Sequence, residues 1–144
     1  MKTLFTVLLL ALFASPVLAE EAAVATPDSA QTPQITNVAY YFMNTVRCPS
    51  CQKIEKYSHE AIEAGFAPQL AAGQLAWMMK NLDEEANAHF IDEYKLFTKS
   101  LVLVRYENGA QVKWKNCDKV WELLGDEAAF KKYVTAEVAS FLGE

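Results

Sequence analysis

The sequence predicts an α/β domain with a mixed four-stranded sheet, in which two parallel strands are followed by a C-terminal hairpin and helices cover both faces. Three observations carry this. Residues 38–43 form a short aromatic and apolar run that leads directly into a proline-started helical stretch. A second apolar run, residues 74–82, follows that stretch at a distance suited to a crossover connection. Asn108-Gly109 then separates two strand-like segments, the strongest short-range signature of a hairpin.

Each element has its own justification. Residues 38–43 are apolar and bounded by polar residues, as a buried strand is. Pro49 opens a helix over residues 49–64, because proline's missing N–H has no partner in a first turn anyway. Gly65 and Pro68 are expected to end or break it. Residues 74–82 (QLAWMMKNL) read as a second buried strand after Gly73. Asp83 is placed to cap a helix over residues 84–96, with Glu84 and Glu85 at its positive end and Phe90, Tyr94 and Phe97 at helical spacing. Residues 101–106 are apolar enough for a central strand. Residues 110–115 alternate, with Val112 and Trp114 on one face and lysines on the other, as on an edge. A short helical turn is expected over residues 118–124, and the last helix begins near Asp126 with the stripe Phe130, Val134, Val138, Phe141.

The first residues carry a different signal. Met1-Lys2 gives a short positive start, Leu4 opens an apolar run that lasts to Phe13, and Pro16-Val17-Leu18-Ala19 precedes Glu20-Glu21. This is the pattern of a secretory signal peptide, residues 1–19, with cleavage after Ala19. The run falls short of the roughly 20 apolar residues a bilayer span needs, so no stable membrane anchor is expected after cleavage. Residues 20–37 are read as a flexible leader, being rich in Ala, Thr, Ser, Gln and Pro over most of their length, and residues 38–144 as the folded domain. The expected location is exported, periplasmic or secreted.

Formal net charge is −5; loss of Lys2 with the signal makes it −6, 12 basic against 18 acidic residues. No basic cluster is present, which argues against nucleic acid as a partner. Three cysteines, Cys48, Cys51 and Cys117, cannot form a multi-bridge framework, so stability must come from a core.

Cys48 and Cys51, in Arg47-Cys48-Pro49-Ser50-Cys51, sit where the first strand hands over to the first helix. A sulfur there faces the unpaired N–H groups and the positive end of the helix dipole, which stabilise a thiolate and make Cys48 a nucleophile. Arg47 adds a neighbouring positive charge. Cys51, one turn deeper, is placed to resolve a mixed disulfide on Cys48. Pro49 fixes the backbone between them, Ser50 offers a donor, and Glu55, four residues past Cys51, is a candidate proton acceptor.

The motif and the order of elements resemble the thioredoxin fold. More narrowly, three blocks resemble a family of small exported thioredoxin-like proteins known as nitrophenyl-compound nitroreductase subunits of the ArsF type: AYYFMNTVRCPSCQKIEKYSHEAIEAGF, LFTKSLVLVRYENGAQVKWKN and KVWELLGDEAAFKKYVTAEVASFLG. The resemblance spans residues 38–144. It implies a thioredoxin-like three-layer domain whose redox-active disulfide Cys48–Cys51 is its only redox group, with no bound cofactor. The implied partners are protein thiols or disulfides. Nitro-group reduction needs a flavin-like carrier, and no dinucleotide-binding glycine loop is present, so this chain would serve such a reaction as an electron donor. Thioredoxins place a cis-proline at the strand facing the motif; Ser100 falls near that position here. The buried acid of the thioredoxin first strand is replaced by Tyr40, Tyr41 and Phe42.

Other readings stand beside this one. The Cys48/Cys51 dithiolate suits a soft ion such as copper(I) or arsenite. A zinc site needs two more ligands, and Cys117, His59 and His89 show no ligand spacing. The pair closes too short a loop to constrain much entropy as a staple. A non-catalytic interaction module on the same fold is a third possibility. Cys117 reads as a buried thiol, with an intermolecular bridge as the alternative. Trp77, Trp114 and Trp121 read as core and sheet-face residues.

Overall fold

The computed structural model describes residues 34–143; the predicted signal peptide and the leader as far as residue 33 lie outside the described residues. The chain forms β1 (Ile35–Met43), α1 (Pro49–Ala71), β2 (Leu75–Asn81), a 3-10 turn (Glu85–Asn87), α2 (His89–Glu93), β3 (Ser100–Glu107), β4 (Ala110–Asn116), a second 3-10 turn (Asp118–Val120) and α3 (Glu127–Leu142). The sheet order is β2-β1-β3-β4. β1 and β2 are parallel, while β1 with β3 and β3 with β4 are antiparallel.

The two central strands explain their own composition. Val38 through Phe42 and Ser100 through Val104 are buried without a break, because layers cover both faces there. Alternate residues divide the apolar groups. Ala39, Tyr41, Leu101 and Leu103 meet Ile54 and Ile62 of α1 and Phe130, Val134 and Val138 of α3. Val38, Tyr40, Phe42, Val102 and Val104 meet Tyr94 and Leu96 on the opposite side. Two core layers therefore flank one sheet.

β1 begins at Ile35, three residues before the expected 38, because the backbone of Ile35–Asn37 pairs with Arg105–Glu107 of β3. Asn37 is buried and secures this end: its Nδ2 donates to the Gln74 carbonyl at 3.0 Å and its Oδ1 accepts from Arg105 Nε at 2.9 Å.

α1 runs past its expected end near residue 64. Pro68 lies inside it, and the chain bends at Phe66 (φ −135°, ψ 28°) before the helix resumes. Proline withdraws one N–H and crowds the carbonyl four residues back, which kinks a helix without always ending it. Phe66 is buried in the core, as are Ala61 and Ile62 one turn before it, and that packing carries the helix across the bend. The stop comes at Gly73, whose φ of +69° is left-handed.

β2 is an edge strand, not the second buried strand its apolar run suggested. Met78 and Met79 are 43% and 38% exposed. An apolar run cannot by itself reveal which strand lacks a neighbour.

The expected helix over residues 84–96 is the largest departure. Only the 3-10 turn and the five residues of α2 form, and Asp83 caps neither. Lys95 takes a left-handed conformation (φ 53°), which lets Tyr94 and Leu96 turn into the core and leaves Phe97 91% exposed.

The hairpin follows expectation. Asn108 and Gly109 both have positive φ, 52° and 81°, as a type I′ turn requires. β4 is the other edge. Its lysines face α3, with Lys115 paired to Glu137 and Lys113 over the Phe141 ring at 4.7 Å, while Trp114 meets Tyr94 edge-on at 5.4 Å on the α2 side. α3 is capped by Asp126, whose carboxylate accepts from Ala129 N at 3.0 Å, and its predicted stripe is buried throughout.

Candidate functional site

The parallel strands β1 and β2 end side by side, with Met43 opposite Asn81. The start of β3 lies at the same end, Ser100 opposite Phe42. Residues 44–48 cross this end to reach α1. Their path is set by Asp83, which accepts from Asn44 Nδ2 at 2.5 Å and from Thr45 N at 2.8 Å. Asn81 Nδ2 donates to Thr45 Oγ1 at 3.0 Å. The Asn44 and Thr45 donors hold the Asp83 carboxyl below its usual range. Asp83, read as a helix cap, is thus a clamp on the loop that presents the cysteines; its position directly after a strand fits either role in sequence.

Cys48 is the N-cap of α1, in extended backbone (φ −84°, ψ 160°), and Pro49 occupies the first turn. Cys48 and Cys51 are joined by a disulfide, and Cys51 N donates to Cys48 Sγ at 3.2 Å. Helix geometry separates the two sulfurs by environment: Cys48 is exposed, whereas Cys51 is only 3% exposed. Ser50 lies half-buried in the same turn.

Below the turn, Tyr41 replaces the acid expected of a thioredoxin first strand. Its hydroxyl donates to the Cys51 carbonyl at 2.7 Å, and burial pushes the phenol up to about 12 against the opposing charge of Arg47. Nothing in the sequence motif announces this contact; it needs the helix start folded over β1.

Arg47 and Glu55, nominated separately from the sequence, form an ion pair with each other. The charge beside Cys48 therefore arrives with a counter-charge, and Glu55 Oε2 is turned to Arg47. Ser100 opens β3, is buried, and donates through Oγ to the Thr98 carbonyl at 3.0 Å. Among the described residues every peptide bond is trans. Trp121 Nε1 fastens the preceding residue by donating to the Lys99 carbonyl at 2.8 Å.

A shallow cleft of about 210 Å³ opens at this end of the sheet, between Asn44, Leu82, Ile91 and the Phe97–Lys99 segment. Val46, in the cysteine loop, is 83% exposed.

The further metal-ligand candidates are engaged elsewhere. His59 Nε2 lies 3.3 Å from Glu63, and its ring stacks on Trp77; His89 Nε2 lies 3.9 Å from Glu93. Cys117 is fully buried, and burial pushes its thiol up to about 12. Among the described residues no three His, Cys, Asp or Glu side chains stand together as a metal site, and no helix is long and apolar enough to cross a membrane.

Comparison with protein families finds no match, and comparison with curated proteins finds none. Among solved structures the chain is similar to a malarial protein at 15% identity and a TM-score of 0.35, over 56% of this chain and 80% of that one. It is also similar to thioredoxin-2 of the malaria parasite, described as a component of the protein secretion machinery, at 12% identity and a TM-score of 0.36, over 64% of this chain and 84% of that one. Likeness at this level says nothing of what the present chain does. The sheet order and the place of the disulfide between β1 and α1 define the class: an α/β domain of thioredoxin-like fold. Its Cys48–Cys51 disulfide fits a thiol–disulfide protein in general.

Proposed function

We propose that this chain is an exported thiol–disulfide exchange protein in which Cys48 attacks and Cys51 resolves, serving as an electron donor to a partner protein. The observation that carries the reading is the division of roles at the N-cap: one sulfur is exposed and accepts a helix N–H, and the other is buried one turn behind it. The signal-like first 19 residues support export, and the ArsF-type resemblance supports a donor role.

In the reducing direction, the Cys48 thiolate attacks a partner disulfide. A Cys48–partner bond forms, and the first partner sulfur leaves as a thiolate. Cys51 gives up its proton and attacks Cys48 Sγ, which forms the Cys48–Cys51 bond and expels the second partner thiolate. Two electrons pass to the partner, the two protein thiols release two protons, and the two partner thiolates take up two from solvent. The Cys51 N–H and the helix dipole stabilise Cys48 as the attacking thiolate. Direction depends on the potential relative to the partner.

Insulin disulfide reduction by the dithiol form tests the reading. Cys48→Ser is expected to abolish it, and Cys51→Ser to accumulate a mixed disulfide on Cys48. Undiminished turnover in Cys48→Ser overturns the assignment. Equilibration with glutathione is expected to show one two-electron transition between about −120 and −270 mV, the span of working oxidoreductases.

A further inference from the structure

The Arg47–Glu55 pair has a place in the fold that neither residue has alone. Arg47 directly precedes the N-cap Cys48, and Glu55 lies on α1 one turn beyond Cys51. The salt bridge therefore spans the helix start that carries both sulfurs. Both side chains are 26% exposed, but Glu55 Oε2 and Arg47 Nε are shielded from solvent. Arg47 Nε also has no hydrogen-bond partner, so the guanidinium keeps unused donor capacity on the residue that directly precedes Cys48.

A sulfur anion on Cys48 is favoured by the helix N-terminus and by any unopposed positive charge nearby. The Arg47 guanidinium, carried by the residue before Cys48, is such a charge, and here it is committed to a carboxylate. The other groups around this end are Tyr41 from β1, which is held by the Cys51 carbonyl, and Asp83 with Lys99 near it. Asp83 is occupied by Asn44 and Thr45.

We infer that Glu55 is a positioning residue that withholds the charge of Arg47 from Cys48 and so keeps that sulfur a weaker acid than its N-cap place alone would make it. The pair tunes the site toward holding electrons less readily as a dithiol, and hence toward giving them away. This consequence rests on the exchange reading, whereas the electrostatic claim does not.

The test is a pH titration of Cys48 in the reduced full chain, read by iodoacetamide alkylation and peptide mass, for wild type, Glu55→Gln, Arg47→Gln and the double variant. Glu55→Gln is expected to lower the midpoint, raising the thiolate fraction at a fixed pH below it by roughly three- to tenfold. Arg47→Gln is expected to raise the midpoint, and the double variant to return close to wild type. A midpoint unmoved or raised by Glu55→Gln overturns the inference, as do two single variants that shift in the same direction. If Arg47→Gln does not fold, Arg47→Lys combined with Glu55→Gln must still lower the midpoint relative to Arg47→Lys. Wild type that fails to reduce insulin overturns the proposed function and leaves this titration fully readable.

Discussion

Cys48, Cys51 and Cys117 are one residue type in three environments. Cys48 caps a helix and faces solvent, Cys51 lies one turn inside, and Cys117 is closed off in the core. Burial, followed by the charge of Glu137, lifts the Cys117 thiol from 9.0 to about 12. Its folded pKa is raised, so the unfolded chain loses this proton first as pH rises. The stability it contributes is complete below about 9 and declines toward 12, by at most about 1.4 kcal/mol per pH unit. Urea unfolding across this window is expected to show wild type losing stability faster with pH than Cys117→Ala. Parallel curves would mean that the thiol reaches solvent in the folded state. The cysteine pair and its neighbours were legible as residues. That Arg47 and Glu55 answer to each other was not, because two long side chains eight positions apart meet only once the loop has turned onto the helix.

At the scale of elements, local chemistry located starts better than stops. Pro49 after an extended Cys48 and Asp126 before α3 are visible caps, and both begin helices as read. Gly65 and Pro68 were read as the end of α1, but packing around Phe66 outweighed the proline and produced a bend. The segment after β2 shows the opposite error. Its apolar spacing fits a long helix, yet Asp83 bonds across to the cysteine loop and the chain makes only a 3-10 turn and the short α2. Asp83→Ala is expected to free that loop: the Thr45 amide should exchange faster with deuterium while protection in β1 and β3 is kept. The same release is expected in wild type as pH falls. Hydrogen bonds from Asn44 and Thr45 depress the folded carboxyl, so its stabilising effect is present above the ordinary range near 3.8 and is lost as pH drops through the lowered one. Unchanged Thr45 exchange in Asp83→Ala would assign the loop's order to packing instead.

For the whole molecule, one sheet with a core on each face must hold the helix start rigid beneath the disulfide. Phe130 of α3 is fully buried and meets Tyr57 of α1 edge-on at 5.5 Å, so it joins the two helices on that face. Phe130→Ala is expected to cost about 3–5 kcal/mol in guanidinium unfolding while leaving the Cys48 alkylation profile of the folded protein in place. A loss under about 1 kcal/mol, the scale of a surface change, would show that α3 is dispensable to the core.

Residue order alone was enough for the α/β class, the strand and helix order, the hairpin at Asn108-Gly109, the stripe of α3 and the position of the C-P-S-C pair at a helix start. These follow from periodicity, turn chemistry and capping, which act over a few residues. Tertiary structure decided that β2 is an edge, where α1 stops, how little of α2 forms, and that Tyr41, Asp83 and the Arg47–Glu55 pair surround the disulfide. Those outcomes depend on contacts between segments distant in sequence or brought together by a turn, and such contacts exist only after the sheet has closed its two cores.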